Sequence, residues 1–292
     1  MKRFLLILFI FTGSWAQAQL VIDQTAPYNS VNHLINNVFA GGNVSISNIQ
    51  SYGTPVQIGF FSGMGTSFGM DSGIVLSCDP LRDLCNTGCN NALQTGNTPN
   101  SWTGVNYGPA WFGTTSNNNL LNVSQSVPTL LGQNFPAAGD VNDAAAIWFD
   151  FTPTKDTMRF KFVFASNEWD GYPCTTFNDV FGFFVSGPGI TGSFNAPTGF
   201  TSAQNFAVVP GTNIPITISS ITNSNSNSIA NCNVPYNSSY YVSNNTAALK
   251  AATNLDYNAH TTTMTVEFPV TPCQTYNFCI AIADGSDAFL GS

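Results

Sequence analysis

Three carboxylates, Glu168, Asp170 and Asp179, fall in one polar stretch between two strongly apolar runs. Charged residues make up only 8% of the chain, so this is a concentration of acid rather than background. A second acidic group, Asp284 and Asp287, sits in AIADGSD near the end of the sequence. Two chemistries use such residues. A glycosidase needs two carboxyls about 5–10 Å apart, which Glu168 could form with Asp170, Asp179, Asp284 or Asp287. A hard cation needs oxygen ligands from carboxylates, amides and main-chain carbonyls. Glu168, Asp170, Asp179, Asp284 and Asp287 are therefore the candidate calcium ligands, although their spacing matches no fixed calcium loop. The plainer alternative is that these acids are solvated or shape turns. Trp169, Tyr172 and Asn178, with Phe177, are candidates to touch a ligand such as a sugar ring. The competing, favoured reading has the aromatic residues closing the top of the core.

Histidine chemistry has little to work with. The chain holds His33 and His260 only, with no HExxH and no GxSxG pattern. Cys85 and Cys89 have a spacing that zinc could use, but no histidine lies nearby and a structural bridge is the stronger expectation. Cys78, Cys85, Cys89, Cys174, Cys232, Cys273 and Cys279 are the disulfide candidates, with the pairing open. Seven is odd, so one thiol is expected to stay free or to pair outside the chain.

The export context follows from the first residues. Lys2 and Arg3 precede an apolar run, Phe4 to Phe11, and then the small-x-small pattern Ala16-Gln17-Ala18. This is a secretory signal, residues 1–18, too short to span a bilayer. No later stretch approaches the roughly twenty apolar residues of a spanning helix. Loss of Lys2 and Arg3 takes the net charge from −8 to −10. That balance excludes a nucleic-acid footprint and a basic patch for anionic membranes. Residues 19–292 are long enough for one large β domain.

The acidic loop is held by strands. Met158, Phe160, Phe162 and Phe164 alternate with Arg159, Lys161, Val163 and Ala165, the period-2 pattern of a half-buried strand. Val180 to Val185 is apolar or glycine at both parities, which predicts a strand covered on both faces. Further strands are expected over 44–49, 56–61, 73–77, 144–151, 206–209, 214–221, 261–270 and 276–282. Val31, Leu34, Ile35 and Val38 predict a short helix capped by Ser30, and Thr246 to Ala252 a further helical turn or two. Residues 79–143 read as a long ordered insertion over a sheet edge, with apolar members Trp102, Tyr107, Trp111, Phe112, Leu120, Leu121, Leu130 and Leu131. The fold class expected is all-β: an antiparallel β-sandwich of jelly-roll type with one short N-terminal helix and long loop insertions.

Four separated motifs then point one way. MDSGIVLS (70–77), VFASNEWDGYPCTTFNDVFGFFVSGPG (163–189), AVVPGTNIPITI (207–218) and TPCQTYNFCIAIADGSDAFL (271–290) together resemble the choice-of-anchor L domain. The resemblance runs from about residue 30 to the end, in the family's order. It implies a domain of exported bacterial surface proteins, common in the Bacteroidetes, joined to varied C-terminal anchoring signals. It also implies a further strand and sorting region beyond Ser292, so the chain reads as truncated there. It carries over no chemical activity, and the insertion with Cys78, Cys85 and Cys89 is not part of the pattern. The expectation is a non-enzymatic binding or adhesion module, secreted or on the cell surface, with an extracellular glycan or protein ligand and calcium as candidate cofactor. The alternatives are a carbohydrate-active enzyme using Glu168 with an aspartate, and a structural spacer.

Overall fold

The computed structural model describes residues 19–292 except 65, 67, 68, 88, 90, 91, 93–118, 170, 196–199, 224–231, 233 and 287–291. Asp170, Asp287, Trp102, Tyr107, Trp111 and Phe112 thus lie outside the described residues.

The larger sheet is antiparallel and positions the acidic loop. It is built from β2 (Val44–Tyr52), β5 (Val141–Pro153), β8 (Val180–Ser186), β9 (Gln204–Asn205) and β13 (Tyr276–Gly285), in the order β2-β5-β13-β8-β9. Opposite it lie two smaller antiparallel sheets. One joins β1 (Val21–Asp23), β3 (Ile58–Ser62) and β4 (Ser72–Leu76) in the order β1-β3-β4. The other pairs β6 (Thr157–Phe162) with β12 (Met264–Pro269). A third small sheet, β10 (Tyr241–Ser243), β11 (Ala259–Thr261) and β7 (Ala165–Ser166), closes one end.

The core forms where the layers meet. Ile147, Phe149 and Phe151 of β5, Phe181 and Phe183 of β8, and Phe278 and Ile280 of β13 pack on Phe162, Met264 and Phe268 from the facing layer. Phe160 stands edge-on to Phe183, with ring centroids 4.3 Å apart. Burying each such ring stabilises the fold by about 2–3 kcal/mol, so the alternation of phenylalanines does most of the work of joining the layers.

Every residue of β8 is buried, as its two-faced apolar pattern predicts. The second cover is α2 (Asn119–Leu131), whose Leu120 and Val123 pack on Ala144, Ala146, Phe184, Cys279 and Ala281. This helix lies in the stretch expected to be an irregular insertion over a sheet edge; it instead covers a sheet face. The preceding helix α1 starts as Val31–His33 and continues with π geometry over Leu34–Phe39. Ser30 caps it by accepting from the His33 N–H, as predicted. A third helix, α3 (Ala247–Thr253), is capped by Thr246.

Residues 206–221 depart from expectation. Two strands were predicted, but only isolated bridges form there, Val208 with Pro215 and Thr217 with Val180. The apolar positions Ala207, Val209, Ile216, Ile218 and Ile221 are still buried. Local side-chain bonds account for the lost ladder. The Thr217 N–H donates to Ser220 Oγ, the Ser220 N–H to Thr217 Oγ1, and Asn205 Oδ1 accepts from both Phe183 and Ala207 N–H.

Candidate functional site

Strand register assembles an acidic cluster at one end of the sandwich. The β13–β8 ladder pairs Ala283 with Val180, so one more step sets Asp284 against Asp179. On the other side of β13, Asp284 pairs with Asn142, beside Asp143. Glu168 arrives from the loop after β7. All four acids are buried, with Glu168 and Asp179 at 0% exposure and Asp143 and Asp284 at 1%.

Their partners are specific. Asp179 Oδ2 accepts from Ser166 Oγ at 3.0 Å and from Ser292 Oγ, while Oδ1 accepts from the Gly285 N–H at 3.2 Å. The Glu168 carboxyl lies next to that of Asp179 in the same buried corner. Asp284 is bonded to the Cys78 thiol, while its Oδ1 has no donor among the described residues. The backbone closes the same corner: Cys78 N–H and Ser77 Oγ both donate to the Ser292 carbonyl, each at 2.9 Å. Gly285 is required there, because a Cβ would meet the Asn178 carbonyl oxygen at 2.6 Å.

Burial sets the electrostatics. It pushes the Asp284 carboxyl well above the usual carboxylate range, and the nearby charges of Asp179, Asp79 and Asp143 push it further. Burial also raises Asp179, against the lowering effect of its hydrogen bonds from Glu168, Ser292, Gly285 and Ser166. The Cys78 thiol is raised first by burial, then by Asp284 and Asp179. Burial thus favours the protonated form of each of these groups and keeps them from solvent. Among the described residues no group of three or more His, Cys, Asp or Glu side chains is arranged to hold a metal ion.

The aromatic candidates divide. Trp169 is fully buried; its indole N–H donates to the Ile218 and Ile221 carbonyls, and its ring meets Phe164 and Tyr241 edge-on. Tyr172 is half-buried and makes an edge contact with Phe177 at 5.3 Å. Asn178 is buried, donating through Nδ2 to Ser124 Oγ at 3.1 Å and accepting the Ser219 N–H at 3.2 Å. The loop is also tied by a disulfide from Cys174 to Cys232. A second disulfide joins Cys85 and Cys89, so that spacing serves a bridge. Cys78, Cys273 and Cys279 are free, three thiols rather than the single one expected from the odd count.

Asp143 and Cys78 were not singled out from sequence as members of this corner. Asp143 became visible only through the β5–β13 register, and Cys78 only through its contact with Asp284. The choice-of-anchor L domain model matches residues 22–292. The chain belongs to the choice-of-anchor L domain family. No curated protein and no solved structure matches it. Choice-of-anchor domains are typically parts of extracellular surface proteins, and the family is not a known enzyme family. Two disulfides fit export. No helix among the described residues is long and apolar enough to cross a membrane.

Proposed function

We propose that this choice-of-anchor L domain is a non-enzymatic, surface-displayed adhesion module that touches an extracellular glycan or protein through the 166–179 loop. The observation that carries this reading is the Tyr172–Phe177 pair. It is half-buried and stands on a loop pinned by the Cys174–Cys232 bridge and by buried Asn178. Aromatic rings on a rigid support give contact area at little entropic cost. Glu168 and Asp179 lie together in the interior at 0% exposure, out of reach of a substrate. That arrangement supports binding over glycoside hydrolysis. The reading is metal-free, because a divalent cation would have to displace the hydroxyl donors already on Asp179.

Glycan arrays and immobilised extracellular proteins, probed in EDTA, provide the test. Binding is expected, and Tyr172→Ala should weaken it by roughly tenfold while leaving the melting temperature within about 2 °C. Absence of any binding would leave a spacer domain and end this proposal. So would glycan hydrolysis by the wild type that Glu168→Gln abolishes. Binding that vanishes in EDTA and returns with calcium would restore the metal reading.

A further inference from the structure

The residue that follows the small-x-small pattern Ala16-Gln17-Ala18 is Gln19. Hydrolysis of the Ala18–Gln19 bond by a signal peptidase makes it the first residue of the exported chain. A glutamine in that place carries a nucleophile and an electrophile on one residue: the freed α-amine and the side-chain amide carbon. An α-amine has an ordinary pKa of about 7.7–8.0, so part of it is unprotonated and nucleophilic at neutral pH. Closure to a five-membered ring is intramolecular, which removes the entropic cost of bringing two reactants together.

The fold holds the neighbouring residue and leaves this one loose. The Leu20 N–H donates to the Thr253 carbonyl at 3.1 Å, and Asn254 Nδ2 donates to the Leu20 carbonyl at 2.9 Å. The Leu20 side chain is buried with Leu84 and Leu255, and β1 starts at Val21. These anchors fix the chain to the end of α3 without using Gln19. Gln19 itself is exposed. Among the described residues its side chain makes one hydrogen bond, from Nε2 to the Ala251 carbonyl at 3.3 Å, beyond the usual range for such bonds. Its main-chain nitrogen donates to no described residue. Gln24 shows the contrast: it is buried, and its Nε2 donates to the Pro55 and Ile58 carbonyls at 2.8 Å each. The reacting atoms of Gln19 are therefore free to approach one another, and the leaving nitrogen gives up one weak, exposed bond.

We propose that Gln19 is the N-terminal residue of the exported protein and is modified there to pyroglutamate. The peptidase adds water across the Ala18–Gln19 bond. The Gln19 α-nitrogen then attacks Cδ, and the new N–Cδ bond forms as the Cδ–Nε2 bond breaks. Nε2 takes the proton that the α-nitrogen loses and departs as ammonia. No oxidant or reductant enters. The product is a neutral lactam, so the terminal positive charge is removed, and with it the amine that an aminopeptidase must recognise. The bond between residues 19 and 20 is untouched, so the Leu20 N–H keeps its Thr253 partner and the fold is indifferent to the change. This inference rests on the export reading and is independent of any ligand at the 166–179 loop.

The test uses the full chain, expressed with residues 1–18 in an exporting bacterium and recovered outside the inner membrane. Open amines are dimethylated before digestion, so that a ring formed later in the mass spectrometer is not mistaken for one already present. The N-terminal peptide is expected to begin at residue 19, to carry no label on its α-nitrogen, and to be lighter than the unmodified sequence by one ammonia. Pyroglutamyl peptidase should then remove its first residue. Gln19→Ala cannot close the ring, so its N-terminal peptide should carry the label. The same variant should melt within about 2 °C of the wild type, because the anchors begin at Leu20. A labelled, open Gln19 in the wild type overturns the modification and leaves the cleavage site standing. A first residue other than 19 overturns the cleavage site and the modification together. A larger fall in melting temperature for Gln19→Ala would show that the fold holds residue 19, and also overturns the proposal.

Discussion

Asp179 and Asp284 are brought side by side by the last step of the β8–β13 register, and both are buried at the rim of the sandwich. Asp179 is answered by two hydroxyls and a main-chain N–H, while Asp284 has the Cys78 thiol and one oxygen without a donor. One carboxyl is therefore braced, and the other is held in a place that favours its neutral form.

That difference predicts how stability depends on pH. The folded-state proton affinity of Asp284 is raised above that of the unfolded chain, by burial first and by Asp179 second. The folded chain then binds the extra proton over the interval between the two values, and stability falls as pH rises through it. The loss begins near the ordinary carboxylate value, about 3.9, and continues upward to the raised folded value. Asp284→Asn removes the ionisation. The variant should match the wild type near pH 4 and exceed its unfolding free energy at pH 8 by about 2 kcal/mol. Urea melts at the two pH values measure this. A variant whose deficit or advantage is the same at both would show that Asp284 does not titrate in this window.

The free thiols give a second, simpler measurement. Cys78 and Cys279 are fully buried, and burial raises both thiols, so the reactive thiolate is scarce as well as shielded. Cys273 is exposed. Ellman's reagent should therefore modify one thiol in the native protein and all three free thiols in denaturant. Cys273→Ser should leave none reactive in the native state. Fast native modification of Cys78 would mean that the acidic corner opens to solvent.

These features were unevenly legible in the sequence. The alternation of Phe160, Phe162 and Phe164 and the two-faced run through Phe181 and Phe183 gave away the sandwich, because period-2 burial depends only on local parity. The acidic residues could be named but not placed. The β13–β5 register shifts between Ile282 and Asp284, and such an irregularity changes which face a residue takes. Neither that shift nor the resulting approach of Asp143 and Cys78 has a sequence-local sign. Gly285 is similar: its need for close approach to Asn178 exists only once the two segments are folded together. The helix α2 was hidden because Leu120, Val123 and Val127 are separated by Asn, Ser and Gln, which dilute the helical stripe.

The Cys174–Cys232 bridge supports the last prediction. It joins the acidic loop to a segment 58 residues further along the chain, and both cysteines are buried. Closing a loop of that length restricts the unfolded chain and contributes about 2–4 kcal/mol. In the folded state it also holds the stretch that carries Tyr172, together with the Cys174 N–H bond to Ser219 Oγ at 2.8 Å. Replacing both cysteines by serine should lower the unfolding free energy by that amount in urea melts. It should also raise hydrogen exchange in residues 171–178 more than in β8, because β8 is locked by its own ladders and by core packing on both faces. Equal loosening of loop and strand would mean that the bridge supports the whole sandwich rather than the loop. Tyr172 would then owe its position to Phe177 and to its main-chain bonds with Glu168 and Thr175.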